Sequence, residues 1–385
     1  MVIKVKKIFE SIPSLESEYV KFWEDICNIE SPTDYKEGID KVGSLIMERA
    51  EKLGFKIEKC IQKVSGDAIC ITMNEGANKK PVCFSAHIDT VHPIGAFGYP
   101  PVKIKDGIIY GPGVTDCKGG AVAGLFAMHI LKLNGFKDRP VKLIIQTDEE
   151  TSSKGSNKET IKFMAQKAKD SIAFINLEGL RDAGMVLKRK GILRYEIKVE
   201  GISVHASSCA DGASAISQAA YIITELEKFK DNYGITANCG TIKGGTAANT
   251  VPDDCTMEFD FRFSNMEEYN TIKDAVRKVC EINTVKGTKT TYALKSERVF
   301  MEETEKNLEL YEKIEDIFEQ NGLKRLGKTF SGGGSDASDM TYYGIPTVDG
   351  LGVYGSKIHS KNEYAEISSL PLAVKRLCAI AVNIT

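Results

Sequence analysis

The chain has 385 residues, 42% of them apolar and 27% charged, with 51 basic and 53 acidic side chains and a net charge of −2. That length exceeds one ordinary core and points to two or three domains of a soluble globular protein. The charge balance excludes the basic surplus of a nucleic-acid binder and the acidic tail of a disordered segment, and no apolar run approaches the ~20 residues of a membrane span. The opening residues, MVIKVKKIFESIPSLES, are positive but lack an apolar stretch followed by a small-residue cleavage site, so no signal peptide is expected. Ten cysteines are scattered singly without a CxxC pair, which fits reduced thiols in a cytoplasmic protein.

In chain order, the first third opens with helices. Leu15, Tyr19, Phe22 and Ile26 recur at helical spacing, and a second helix is expected over 35–53, ended by Gly54. Short apolar runs then alternate with helical stretches: strands over 67–73, 81–86, 141–147 and 172–177, helices over 117–134 and 156–169. Such alternation predicts an α/β domain with a mostly parallel sheet and helices on both faces. From about 191 the pattern becomes period two. Tyr195, Ile197 and Val199 alternate with polar residues, as do Cys255, Met257, Phe259, Phe261 and Phe263, which marks an antiparallel sheet with one buried face. Helical stripes at Ile216, Ala219, Ile223, Leu226 and at Tyr269, Ile272, Val276, Val279 accompany them. The order over 191–300 is strand, helix, strand, strand, helix, strand, a two-layer α+β unit. A helix over 305–320, a glycine-rich turn at 331–335, a strand near 345–349 and a helix over 369–383 resume the first texture. The expected organisation is one α/β domain, 1–190 and 301–385, interrupted by a smaller α+β domain over 191–300.

The chain holds five histidines: His87, His92, His129, His205 and His359. A sheet of this kind binds ligands beyond the carboxyl ends of its strands. The run ending at Ala86 delivers His87-Ile-Asp89, the run ending at Thr147 delivers Asp148-Glu149-Glu150, and the run ending at Leu177 delivers Glu178. The loop Gly111-Pro-Gly-Val-Thr-Asp116 leads into a helix, where Asp116 reads as an N-cap, a ligand or both. A metal-binding imidazole needs its other nitrogen hydrogen-bonded, and a carboxylate two residues away supplies that. Adjacent Glu149 and Glu150 diverge, so one can bind metal while the other holds water. Taken singly, each feature also has a plainer reading as a surface pair or solvated acidic turn; three successive strand ends with metal-capable groups are harder to dismiss. Mixed His and carboxylate ligands suit zinc, cobalt or manganese rather than calcium. Two divalent ions bring four positive charges; Asp116, Glu150 and Glu178 offset three, and a hydroxide completes neutrality. Two ions ~3.5–4 Å apart can hold both the attacking and the developing oxygen.

These residues resemble the motifs of the M20 family of co-catalytic zinc peptidases, and within it the glutamate carboxypeptidases. His87-Ile-Asp89 is similar to the family's HxD, Gly113-Val-Thr-Asp116-Cys-Lys-Gly-Gly120 to its GxxDxKGG, Glu149-Glu150 to its EE and Glu178-Gly179 to its third acidic ligand. Gly332-Gly-Gly-Ser335-Asp336-Ala337 is similar to its GGGTDA loop and His359-Ser-Lys-Asn-Glu363-Tyr364 to its HSxxEY. The resemblance implies that Asp116 bridges two metals, that His87 and Glu178 complete one site and Glu150 and His359 the other. It implies that Asp89 orients His87 and that Glu149 is the general base. His205, in Gly201-Ile-Ser-Val-His205-Ala, is similar to the lid-domain histidine that reaches the partner subunit's active site, which implies a homodimer built through the inserted domain. Asn249 and Pro252 match the NxxP motif and Arg262 the arginine thirteen residues after its asparagine; the resemblance implies that Arg298 and Gly334 are further substrate-binding positions. The implied cofactors are two zinc ions per chain, with cobalt or manganese as alternatives. Two departures stand out. The segment after Glu178 is about two residues shorter than in glutamate-specific members, so the substrate lysine falls to Lys188, Arg189 or Lys190. The third acidic ligand is Glu178 where many exopeptidases carry Asp, which favours deacylase and carboxypeptidase readings.

The implied reaction is hydrolysis of an amide or peptide bond beside a free carboxylate, in a small peptide or N-acyl amino acid. Glu149 takes a proton from water and returns it to the leaving amine, and His205 donates to the oxyanion. Arg262 and Arg298 grip the carboxylate. The alternation at 255–263 keeps odd positions in the core and turns Arg262 away from it. The alternatives are a di/tripeptidase or aminopeptidase on the same scaffold, which needs a carboxylate for the substrate amine, and a metal-stabilised binding module, which the presence of Glu149 disfavours. His129 reads as structural, Cys117 as a packed thiol, and His92 has no assignment.

Overall fold

A computed structural model describes residues 2–180, 184–230 and 234–385. Three helices open the chain: α1 (Val2–Ser11), α2 (Pro13–Cys27) and α3 (Lys36–Lys52). Pro13 starts α2, where its missing N–H costs nothing, and Tyr19, Phe22, Trp23 and Ile26 form the buried stripe. Gly54, at φ +67°, turns the chain out of α3 in a conformation that a side chain would resist. There follow β1 (Lys56–Cys60), β2 (Ala68–Met73), β3 (Val82–His87), β4 (Lys103–Lys105), β5 (Ile108–Tyr110), α4 (Lys118–Leu133), β6 (Val141–Gln146), α5 (Glu159–Ala168), β7 (Ala173–Asn176) and β8 (Met185–Arg189). The middle of the chain forms β9 (Gly191–Glu200), α6 (Ala215–Leu226), β10 (Thr236–Gly244), β11 (Asp254–Phe263), α7 (Met266–Glu281) and β12 (Lys289–Arg298). The chain closes with α8 (Glu305–Gln320), β13 (Lys328–Ser331), α9 (Asp336–Tyr342), β14 (Thr347–Val348), β15 (Gly355–Ser356), β16 (Tyr364–Glu366) and α10 (Ser369–Asn383).

Two compact units result: Met1–Lys188 with Glu303–Phe330 and Ser335–Thr385, and Arg189–Glu302 with Ser331–Gly334. The first contains a six-stranded sheet in the order β1-β2-β6-β3-β7-β14. β6, β3, β7 and β14 are parallel neighbours; β1 and β2 add an antiparallel edge. Every residue of β2 and β3 is buried, as in strands covered on both sides. Alternate residues sort the covers. Ile69, Phe84 and Leu143 pack with α2, α3, α4, α8 and α10, whereas Cys70, Cys83 and Ile144 pack with α5 and α9. The expected α/β fold with helices on both faces is thus the observed one. α5 starts at Glu159 rather than 156, because Asn157 and Lys158 sit at φ 52° and 67° and cannot continue a right-handed helix. No described helix is long and apolar enough to cross a membrane.

The second unit is a four-stranded antiparallel sheet in the order β10-β11-β9-β12, with α6 and α7 against one face. Cys255, Met257, Phe259, Phe261 and Phe263 are the buried positions of β11, and Phe259 stacks on Phe261. β10 and β12 are the edges, and Tyr292 and Leu294 of β12 are exposed.

Candidate metal centre

β6, β3 and β7 lie side by side and parallel, so their carboxyl ends open at one edge. β3 ends on His87, a 3-10 turn at Glu149–Thr151 follows β6, and Glu178 lies two residues beyond β7. The Asp116 carboxylate faces both flanks. Its Oδ1 is 3.2 Å from His87 Nε2 and its Oδ2 is 3.2 Å from His359 Nε2. Glu178 Oε1 is 3.6 Å from the same His87 nitrogen, and Glu150 Oε2 is 3.3 Å from the same His359 nitrogen. All five expected ligands therefore converge as two His–Glu pairs sharing one aspartate. The helix-cap reading of Asp116 is corrected: Cys117 occupies the N-cap of α4 without a side-chain cap bond, and Asp116 turns to the histidines. His359 adopts φ +59°, a conformation that is uncommon outside glycine and tends to be held at functional sites.

Asp89 does more than orient a ring. Its backbone carbonyl is 3.0 Å from His87 Nδ1 and its carboxylate 3.4 Å. A carbonyl only accepts, so a ring proton belongs on Nδ1, and Nε2, which faces the Asp116 and Glu178 carboxylates, is the nitrogen that would hold a metal. The Asp89 carboxylate also accepts the Glu149 and Glu150 amides at 3.2 Å each and the Thr33 hydroxyl at 2.8 Å. Asp148, fully buried, accepts Ser156 N and Thr160 Oγ1 at 2.8 Å and closes the loop after Glu150. Glu149 is buried, and its charge acts on both His87 and Glu150.

The Asp116 loop is held from below by Glu363, which is fully buried. Its carboxylate accepts the amides of Gly113 (3.1 Å), Thr115 (2.9 Å) and Asp116 (3.0 Å), and lies 2.9 Å from His92 Nε2. His92, unassigned from sequence, thus belongs to the frame of the site. Buried Lys118 donates to the Ile29 carbonyl at 2.8 Å, tying α4 to the end of α2. Gly120 follows from close packing: a Cβ there would stand 2.2 Å from the Leu177 carbonyl oxygen. Cys117 is buried and donates to that same carbonyl at 2.9 Å, as a packed thiol would. His129 Nδ1 is 3.0 Å from Tyr19 Oη, a structural contact.

The protein groups alone carry strong coupled shifts. Burial opposes ionisation of Asp116, but His359 and His87 outweigh it and hold the carboxyl well below its ordinary range. Burial and the neighbouring Asp116 push Glu150 up to about 8, while Asp116 and Glu150 raise His359 to about 10. Glu150 and His359 both hold a proton more tightly than usual beside an ionised Asp116, so the cluster stabilises added positive charge, and His359 meets it from an exposed position. The ligand atoms of His87, Asp116 and Glu150 lie within 4.8 Å of one another, and imidazole with carboxylate suits zinc, cobalt or manganese. The residues fit a divalent metal ion.

The remaining expected site residues fall in the second unit. Exposed His205 and Asn249 sit on adjacent segments, with Ala206 N donating to Asn249 O at 2.9 Å. Arg262 does face away from the core; Asp260 accepts its Nε at 2.6 Å and its Nη2 at 3.1 Å, and also accepts Arg194 Nε. Arg298 is only 1% exposed, and a Cβ on Gly334 would come within 2.8 Å of its Cδ. Of the candidates for the substrate lysine, Lys188 pairs with Glu303, Arg189 binds the Gly333 and Gly334 carbonyls, and Lys190 reaches the Gly234 carbonyl. Residues 181–183 of the shortened segment lie outside the described residues.

Comparison with known proteins matches residues 83–383 to the family described as Peptidase family M20/M25/M40. Carboxypeptidase G2 of Pseudomonas sp. (strain RS-16) is 25% identical over 370 residues, 94% of this chain and 88% of that protein. Succinyl-diaminopimelate desuccinylase of Rickettsia rickettsii (strain Sheila Smith) is 24% identical over 378 residues, 91% and 96% of the two chains. A tripeptidase structure from Staphylococcus aureus superposes with a TM-score of 0.77 at 25% identity, covering 95% of this chain and 97% of that one.

Proposed function

The chain belongs to peptidase family M20/M25/M40, and from that membership we propose that it uses two zinc ions to hydrolyse the amide bond beside a free carboxylate. Its relatives make it a metal-dependent hydrolase of peptide or amide bonds. The two-ion reading rests chiefly on Asp116, whose two oxygens each face a separate His–Glu pair. His87, Asp116 and Glu178 would hold one ion, and His359, Asp116 and Glu150 the other. Zinc held there would supply an acidic water near neutral pH and a Lewis acid for the scissile carbonyl.

Glu149 has the general-base role: it takes the proton from the attacking water and delivers it to the leaving amine. Its amide is anchored on Asp89, so carboxylate and ligand shell are set by one residue. His205 donates to the oxyanion, and Asn249 and Gly334 line the substrate. Arg262 binds the free carboxylate. Asp260 occupies its Nε side and one Nη2 proton, leaving the Nη1–Nη2 edge for a two-point grip. Arg298, being buried, supports that surface through Gly334. His205 serves a neighbouring chain in a homodimer formed through the inserted unit, whose sheet edges β10 and β12 favour pairing. The similarity to a tripeptidase keeps a second reading, cleavage of short peptides with recognition of their free amino group.

The test is a hydrolysis screen of N-acyl amino acids, dipeptides and tripeptides with zinc- and cobalt-loaded enzyme, each beside its C-terminal amide. The proposal expects the free acids to be cut and their amides to react at least ~100-fold more slowly, as loss of a charge-assisted two-point contact implies. Equal rates for acid and amide contradict it, and a strict need for a free amino group selects the second reading.

A further inference from the structure

The backbone around His205 is pinned on both sides. Ala206 N donates to Asn249 O and Val251 N to Val204 O, each at 2.9 Å, and His205 stands opposite Thr250. What remains to be set is the ring. Ser207 N donates to His205 Nδ1 at 3.2 Å, and Ser207 Oγ lies 2.8 Å from the same nitrogen. A backbone N–H only donates, so a proton on Nδ1 would face another proton. The neutral ring therefore carries its proton on Nε2, and the Ser207 hydroxyl adds a second donor to the Nδ1 lone pair. Among the described residues Nε2 has no partner. At His87 the opposite arrangement holds: Nδ1 faces a carbonyl acceptor, which keeps a proton there and turns Nε2 toward the carboxylates of the proposed metal centre. One histidine is built as a ligand and the other as a donor, by what stands against Nδ1.

We propose that Ser207 is a positioning residue that holds His205 in the Nε2–H tautomer, so that the neutral imidazole presents an N–H to the developing oxyanion. The inference rests on the oxyanion role assigned to His205 above. In the other tautomer a bare Nε2 lone pair would face the oxyanion and repel it.

Nitrogen-15 NMR of histidine-labelled protein reads the tautomer directly, and with five histidines the His205 ring is assigned by its loss in His205→Ala. The expected spectrum has an unprotonated Nδ1 and a protonated Nε2. Ser207→Pro removes both donors and is expected to populate the Nδ1–H tautomer and lower kcat about tenfold, with KM changed less than about twofold, a part of the ~10²–10³ that loss of an oxyanion donor costs. Ser207→Ala keeps the amide and is expected to show a smaller shift in the same direction, which decides the matter if the proline variant does not fold. Ser207→Thr, which keeps both donors, is expected to restore spectrum and rate. A wild-type ring protonated on Nδ1, or an unchanged tautomer in the alanine and proline variants, overturns the proposal. The spectra need no activity, so they stand apart from the oxyanion reading, which an unchanged kcat in His205→Ala would overturn.

Discussion

At Asp116 one carboxylate serves two imidazoles, and its neighbours are arranged for that. The Thr115 and Asp116 amides are taken by Glu363, which fixes the backbone that presents the carboxylate to both histidines. Glu363→Gln tests this. All four of its partners approach as donors, and a glutamine offers one oxygen and one NH2 in place of two oxygens. A buried donor facing donors costs about 1–3 kcal/mol, and metal affinity is expected to fall ~10–100-fold, as for other residues that orient ligands. Competition against a zinc chelator measures it; an unchanged affinity would assign Glu363 to folding alone. Glu149→Gln separates chemistry from binding. The amide keeps the shape but takes no proton, so kcat is expected to drop by ~10²–10⁴ with metal content intact. Retention of more than about a tenth of wild-type kcat would remove Glu149 from the base role.

The elements matter because they bring distant residues to one edge. Three buried parallel strands were legible as apolar runs, and each ends on a metal-capable side chain or reaches one within four residues of its carboxyl end, which is why His87, Glu150 and Glu178 could be read from sequence. Period two in β11 was equally legible, since its odd positions are all buried. Glu363 as a brace was not, because its partners are backbone amides 247–250 residues away that leave no trace in side-chain pattern. His92 escaped for the same reason, its partner lying 271 residues off. The start of α5 escaped because Asn157 tolerates the left-handed region but nothing in Lys158 marks a second residue there. Asp67 shows how elements are tied together: it meets Lys36 at the head of α3 (2.7 Å), Lys59 of β1 (2.9 Å) and the Gln62 amide (3.0 Å). Burial would raise this carboxyl, but the Gln62 amide, Lys36 and Lys59 outweigh it and hold it at about 2. A depressed folded-state value stabilises the fold above the unfolded value, near ~3.9, and that contribution is lost as pH falls from there through about 2. The melting-temperature gap between wild type and Asp67→Asn is therefore expected to be full at pH 6 and to shrink below about pH 4. A gap independent of pH would mean that the charge contributes nothing.

On the scale of the whole molecule, the proposed chemistry divides between two units: ligands and base in one, oxyanion donor and substrate arginine in the other. If His205 serves the neighbouring chain, two defective chains can complement each other. His205→Ala and Glu149→Gln, mixed and allowed to exchange subunits, form dimers in which one site has both an intact Glu149 and the other chain's His205. Random exchange is expected to restore about a quarter of wild-type activity, well above single variants depressed by ~10²–10³. No recovery despite exchange, confirmed by native mass spectrometry, would return His205 to its own chain or to no catalytic role.

Everything proposed for the reaction depends on two cations sharing Asp116. Metal analysis of protein stripped with chelator, reloaded with zinc and desalted addresses this without any assumption about substrate. Two zinc ions per chain are expected in the wild type and one or none in Asp116→Ala, because that carboxylate is common to both His–Glu pairs. One ion or fewer in the wild type, with no further loss in Asp116→Ala, would contradict it.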